Sequence, residues 1–380
     1  MKMKLLPILI PLLSIISIKA DCEVGTEVIC YWGSWSIYRT GEGLFTSENI
    51  DTEICTTIVY SFAGLDSNLE LVSLNIDADI DKNGFKNLTD LKKINPCLKV
   101  VLAVGGWNEG SMKYSIMAGD EYLRNRFVDN VLAFMAYYEF DGLDLDWEYP
   151  TTRKGIPEDG KNLVLLLKEL RSKMSPYGLK LSIAVPIDEN LIQTGYLVTE
   201  IADYVDMVNL MAYDYVASDS KVTGLSSPLS EIKETVSKWL AAGLPSKKLA
   251  LGIPAYAKNF VLEDPDNHNI GAPVQSIGEA GPYTQEQGLL AYFEVLQILN
   301  DWNGIITVKN VDDTNYAFYD NEWFTFDNDS TVRSKVKYAL ENHLGGIMLW
   351  ALELDDFKGV HGEAYPLLKA IRDGISDFNH

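Results

Sequence analysis

Eight short apolar runs, most of them rich in β-branched residues, recur along the whole chain. They constrain its fold more than any other feature. They are Val28–Trp32, Thr56–Phe62, Lys99–Val104, Gly142–Trp147, Lys180–Val185, Val205–Ala212, Leu249–Ile253 and Gly346–Trp350. Runs this short and this continuously apolar describe strands buried on both faces, as in a parallel sheet. Most gaps between them carry a helical period, clearest over Glu121–Tyr138, Lys161–Ser175, Pro228–Ala242 and Thr331–Asn342. Strands alternating with helices predict an α/β fold of the (β/α)8 TIM-barrel type. A doubly wound open sheet satisfies the same periodicity and stays open at this point.

One gap is too long for a barrel connection. Residues 261–328, between the seventh and eighth runs, are rich in Gly, Pro, Asp and aromatics. A structureless loop of that length is rare inside a compact domain. A small α+β insertion domain at the catalytic end is expected there, with the barrel formed by residues 21–260 and 329–380.

Residues 1–20 read MKMKLLPILIPLLSIISIKA. Two early lysines, an apolar stretch and a terminal Ala describe a secretory signal peptide. An uncleaved anchor is the alternative, but Pro7 and Pro11 interrupt a segment already short for a bilayer span. An extracellular protein with no membrane contact after cleavage follows. Composition, at 47% hydrophobic and 23% charged residues, excludes a disordered chain. Removing Lys2, Lys4 and Lys19 with the signal takes the net charge from −22 to −25. A chain this acidic repels phosphate backbones, which argues against nucleic acid as a partner.

The four cysteines, Cys22, Cys30, Cys55 and Cys97, allow three pairings. The four histidines are scattered in no metal-ligand spacing, so neither a metal nor another cofactor is expected. Asn87-Leu-Thr and Asn328-Asp-Ser are N-glycosylation sequons.

The segment Asp141-Gly-Leu-Asp144-Leu-Asp146-Trp-Glu148-Tyr149-Pro150 carries the chemistry. In a strand, alternate residues share a face, so Asp144, Asp146 and Glu148 point one way and Leu143, Leu145 and Trp147 the other. If the apolar set packs on helices, the acidic set faces the barrel interior. Three adjacent buried carboxyls are costly unless they share protons. Stability requires no such arrangement, so a catalytic proton site is the natural reading. Glu148 lies outermost, at the strand's C-terminal end, where barrel active sites are built. A calcium loop is the rival reading, but Leu and Trp interrupt the polar spacing it needs.

The same segment resembles the DxxDxDxE signature of the family 18 glycoside hydrolases, the chitinases and their relatives. The resemblance runs in order from about Val28 to Ile371. Cys30-Tyr31-Trp-Gly-Ser-Trp35 is similar to the first strand of animal members, Phe62-Ala-Gly to the end of the second and Ala103-Val-Gly-Gly-Trp107 to the third. Met211-Ala-Tyr213-Asp214, Gly252-Ile-Pro-Ala-Tyr256 and Gly345-Gly-Ile-Met-Leu-Trp350 are similar to the sixth, seventh and eighth.

The resemblance implies roles. Glu148 would be the general acid and then the general base, Asp146 would orient the substrate's acetamide, and Asp144 would be its buried partner. Tyr213 would hydrogen-bond the acetamide. Trp350 would floor the cleaved sugar, with Tyr31 and Phe62 nearby, and Trp107 would stack on a neighbouring sugar. Tyr149, Met211, Asp214, Tyr256 and Lys258 would line the site. The family also pairs Cys30 with Cys55, leaving Cys22 and Cys97 for a second bridge. Its substrate-assisted mechanism, in which the acetamide oxygen attacks the anomeric carbon, would explain why the motif offers an acid without an obvious carboxylate nucleophile. The implied activity is endo-hydrolysis of chitin and chitin oligosaccharides by a monomer.

This chain departs from the family in several respects, among them the absence of the family's late disulfide. Lys258 stands where many members have Arg, which replaces a planar fork by a point charge. Ala257 replaces a usual Gly. The stretch after Asp214, Tyr215-Val-Ala-Ser-Asp-Ser, lacks a Trp that many animal members carry. A non-catalytic chitin-binding lectin and an endo-β-N-acetylglucosaminidase are the alternative functions on the same fold.

Overall fold

The computed structural model describes Cys22 and residues 25–379. The segment read as a signal peptide lies outside the described residues.

Eight parallel strands form a closed barrel. They are β1 (Glu27–Gly33), β2 (Thr57–Leu65), β3 (Lys99–Gly105), β4 (Gly142–Asp146), β5 (Lys180–Val185), β6 (Met207–Leu210), β7 (Leu249–Pro254) and β8 (Gly346–Trp350). Each pairs in parallel with the next, and β8 pairs back onto β1 in register from Glu27 with Gly346 to Cys30 with Leu349. That closure removes the open-sheet alternative. The apolar runs found in the sequence are the barrel strands, buried on both faces because helices surround them. Helices Glu121–Tyr138, Asp159–Met174, Leu229–Ala241 and Asp329–Glu341 occupy the gaps where the periodicity placed them.

A second, antiparallel sheet lies between β7 and β8. Its strand order is Val274–Ile277, Tyr256–Leu262, Glu322–Phe326, Thr314–Tyr319, Thr307–Val311, and Leu289–Ala291 also pairs with Tyr256–Leu262. With the helix Tyr292–Asp301 it makes an α+β layer. Residue 261 falls inside the first of these strands, which starts at Tyr256, just after β7. Sequence alone blurred that join because a single residue, Ala255, separates the two strands.

A buried polar knot fixes the far end of this layer to the barrel. Lys335, fully buried on the helix Asp329–Glu341, is ion-paired to Asp327, which follows the last strand of the layer. Ser227, from the loop after β6, donates to Asp327 at 2.7 Å and accepts from the Lys335 ammonium at 2.8 Å. Burial pushes the Lys335 pKa down, and the Asp327 charge opposes that shift.

Disulfides join Cys30 to Cys55 and Cys22 to Cys97. They tie β1 to the approach to β2, and the segment before β1 to the approach to β3. Asn87 is exposed on the short helix Gly84–Thr89. Asn328 is half-buried and caps the helix Asp329–Glu341, its side-chain oxygen accepting from the Thr331 amide at 3.1 Å. Among the described residues no helix is long and apolar enough to cross a membrane.

Candidate active site

The site forms at the C-terminal ends of the barrel strands. Asp144 and Asp146 lie on β4, and Glu148 follows two residues beyond it. Leu143, Leu145 and Trp147 are buried on the opposite face, as the alternation requires. Asp141, the first acid of the motif, stands apart from this row. It accepts from the Val100 amide at 2.9 Å and pairs with Lys92 at 3.0 Å, so its work is to seat the start of β4.

Asp144 has no solvent exposure and is held from three sides. Tyr31 on β1 donates to it at 2.7 Å, Ser182 on β5 at 2.6 Å and Asn209 on β6 at 3.1 Å. Burial raises its pKa, and those three donors hold the rise in check. Asp146 lacks such support. One of its buried carboxyl oxygens has no hydrogen-bond partner. Burial, followed by the charges of Glu148 and Asp144, pushes its pKa well above the usual carboxylate range. Glu148 is raised to about 7, first by burial and further by Asp214, while the Tyr149 hydroxyl and the Arg153 charge act against the rise. Burial raises all three neighbouring carboxyls, and the charges of Glu148 and Asp144 add to the rise at Asp146. A carboxyl titrating near neutrality can both give and take a proton under working conditions.

Gly105 and Gly106, at φ +120° and +86°, let β3 turn against the end of β4. A Cβ at Gly105 would lie 2.0 Å from the Asp146 carbonyl oxygen, and the Gly106 amide donates to that same oxygen at 2.9 Å. Trp107 follows this turn with 59% of its surface exposed.

Aromatic rings build the floor. Trp350, at the end of β8, lies 5.8 Å from Phe62 with an interplanar angle of 24°, and 5.6 Å from Tyr31. Trp35 extends the group, 6.2 Å from Phe62 and 6.3 Å from Trp350. Non-proline cis peptides occur at Ser61–Phe62, Glu148–Tyr149 and Trp350–Ala351.

On the side of the inserted layer, Tyr256 donates to Asp214 at 2.6 Å and Lys258 pairs with Asp214 at 2.9 Å. Lys258 also donates to Ser218 at 2.9 Å. The buried Tyr213 ring meets Tyr256 edge-on at 6.0 Å. Its hydroxyl feels Asp146, Asp214 and Glu148, which add to burial in raising its pKa. Met211 is half-buried just beyond β6. Among the described residues no group of His, Cys, Asp and Glu is arranged to hold a metal ion.

The residues singled out from the sequence therefore converge on one end of one barrel. Ser182, Asn209, Ser218, Arg153 and Trp35 were not assigned there. A signal existed for Asn209, the lone polar residue of the strand Met207–Leu210, and for Ser182, which is flanked by apolar residues within the strand Lys180–Val185. Arg153 and Ser218 lie on irregular loops where no periodicity points inward.

A family model described as glycosyl hydrolases family 18 matches residues 27–355. The chain is 37% identical to "Probable chitinase 2" of Drosophila melanogaster, over 87% of this chain and 72% of that protein. It is 36% identical to "Chitotriosidase-1" of Mus musculus, over 92% of this chain and 78% of that protein. The crystal structure of the Ostrinia furnacalis Group IV chitinase in complex with allosamidin superposes with a TM-score of 0.90 at 40% identity, covering 93% of this chain and 99% of that one.

Proposed function

Because this chain belongs to family 18 of the glycosyl hydrolases, we propose that it is a secreted endochitinase. It cleaves β-1,4 bonds between N-acetylglucosamine units with retention of configuration. The state of Glu148 carries this reading: a buried carboxyl raised to about 7 beside a second carboxyl with an unpartnered oxygen. A protein that only bound sugar would have no use for that pair.

In the proposed cycle, protonated Glu148 gives its proton to the glycosidic oxygen. The acetamide oxygen of the sugar on Trp350 attacks its own anomeric carbon, and the bond to the leaving sugar breaks. Asp146 accepts from the acetamide N–H with its free oxygen, and the Tyr213 hydroxyl donates to the acetamide oxygen. Glu148, now ionised, takes a proton from the water that opens the cyclic intermediate. Two observations support assistance by the substrate over attack by a carboxylate. Asp144 is saturated by three donors, and Asp214 is held by Tyr256 and Lys258. The site acts as a monomer without cofactor.

The test is NMR of fresh hydrolysate from chitin oligomers, together with assay on fully deacetylated chitosan. Initial β-anomer and no cleavage of chitosan are expected. Initial α-anomer, or comparable cleavage of the deacetylated polymer, would rule out substrate assistance.

A further inference from the structure

The guanidinium of Arg153 lies 3.8 Å from the centroid of the Trp107 ring. The same side chain donates to the main-chain carbonyl of Glu148 at 3.1 Å. One residue thus bridges the exposed indole after β3 and the backbone of the acid after β4. Trp107 remains 59% exposed with Arg153 against it, so a guanidinium backs one part of the ring while another part stays open.

The loop that carries Arg153 is built to hold this position. Thr151, Arg153 and Lys154 have φ values of +71°, +50° and +74°, a left-handed conformation that costs energy for residues with a side chain. Asp159, without solvent exposure, holds the loop by accepting from the Thr151 amide at 3.1 Å, the Ile156 amide at 2.8 Å and the Ser115 hydroxyl at 2.7 Å. The amide of Thr152 also donates to the Tyr149 carbonyl at 3.1 Å. A strained loop pinned by a buried carboxylate supplies an arginine at one fixed place.

We propose that Arg153 is a positioning residue that clamps the Trp107 platform to the backbone of Glu148, so that a sugar resting on Trp107 is held in register with the acid. The inference rests on the reading of Glu148 as the acid and Trp107 as a sugar platform. Arg153 has a second effect through its charge. Glu148 faces Asp146 on its own strand, Tyr149 beside it, Tyr196, Tyr213 and Asp214 from other elements, and Arg153. Arg153 is the cation among the groups that shift Glu148, and it holds the carboxyl below the value that burial alone would give.

The experiment is steady-state kinetics on a labelled N-acetylglucosamine hexamer with Arg153→Met, Arg153→Lys, Trp107→Ala and the double variant Arg153→Met/Trp107→Ala. Arg153→Met should raise KM about 2–5-fold, the scale of an exposed cation–π contact, with a smaller change in kcat. Arg153→Lys should recover part of this loss, since the charge returns without the planar fork. In the Trp107→Ala background Arg153→Met should no longer change KM. The alkaline limb of kcat/KM should move to higher pH whenever the charge at 153 is removed, with or without Trp107. An unchanged KM in Arg153→Met beside a raised KM in Trp107→Ala would overturn the clamp and leave the platform standing. Equal effects of Arg153→Met in both backgrounds would also overturn it. An unchanged KM in Trp107→Ala would overturn the platform and the clamp together.

Discussion

The hydroxyl of Tyr31 donates to Asp144 at 2.7 Å, and its ring lies 5.6 Å from Trp350. One side chain on β1 therefore touches both the base of the carboxyl row and the aromatic floor. Tyr31→Phe keeps the ring contact and removes the hydrogen bond. Asn209, which also donates to the Tyr31 hydroxyl, loses a partner at 2.9 Å. Asp144 should then hold its proton to higher pH, because one of the three donors opposing its raised pKa is gone. We expect turnover to fall about tenfold, the scale of one hydrogen bond to a charged group. Oligomer binding should be nearly unchanged. Paired kcat and Kd measurements check this, and a loss confined to binding would contradict it.

Glu148→Gln keeps size and hydrogen bonding and removes the transferable proton. Turnover should fall by about 10²–10⁴-fold, the usual worth of general acid–base catalysis, while oligomers still bind. Asp146→Asn should be similarly severe, and Tyr213→Phe milder because the acid stays in place. In the native protein Glu148 must carry its proton to act as acid. Activity should therefore be present below pH 7 and decline as pH rises through about 7. A pH profile of kcat/KM with no alkaline limb near that value would contradict the assignment.

Glu353 lies against Gly33 with no solvent exposure, one carboxyl oxygen unpartnered and the other accepting from the Gly33 amide at 3.1 Å. Burial raises it to about 7, opposed by the Arg39 charge. A carboxyl whose pKa is raised on folding stabilises the protein while protonated, and that contribution is lost as pH rises from its unfolded value toward its folded one. Glu353→Gln should leave stability at pH 4.5 nearly unchanged and increase it at pH 8, by about 3 kcal/mol at most. Denaturant titrations at the two pH values read the difference. A variant less stable at pH 8 would show that the ionised carboxylate is compensated.

Lys335→Met leaves Asp327 buried without its cation. Removing one partner of a buried pair costs about 3–5 kcal/mol, and Ser227 and Thr331 offer only neutral donors in exchange. Adding Asp327→Asn should recover much of the loss. A single variant as stable as the parent would mean that water reaches Asp327.

The alternation of strands and helices was legible in the sequence because its signal is repetitive. An open sheet repeats the same pattern, so closure rests on the family resemblance and on the pairing of β8 with β1. The acidic row was legible because Asp144, Asp146 and Glu148 alternate with Leu and Trp, a pattern with one geometric meaning in a buried strand. Arg153 was not legible. Its position depends on three left-handed residues and on Asp159, which reads as an ordinary helix-start acid. The join at Tyr256 was hidden because only Ala255 separates consecutive strands that belong to two different sheets. Lys258 and its ion-pair partner Asp214 were found through the family pattern, but Ser218, which accepts from Lys258, was not, since it lies in an irregular loop.

The knot of Lys335, Asp327 and Ser227 also bears on how the cleft can move. The inserted layer leaves the barrel at Ala255, whose amide donates to the Trp350 carbonyl at 2.7 Å, and returns at Asp327. Both ends are thus fastened to the barrel, one by a backbone bond beside the aromatic floor and the other by a charge pair shut off from water. Swinging the layer outward like a hinged flap would carry that charge pair apart in a dry interior. The layer is accordingly a standing wall, and accommodation to a ligand in the proposed sugar cleft falls to exposed side chains such as Trp107 and Trp35.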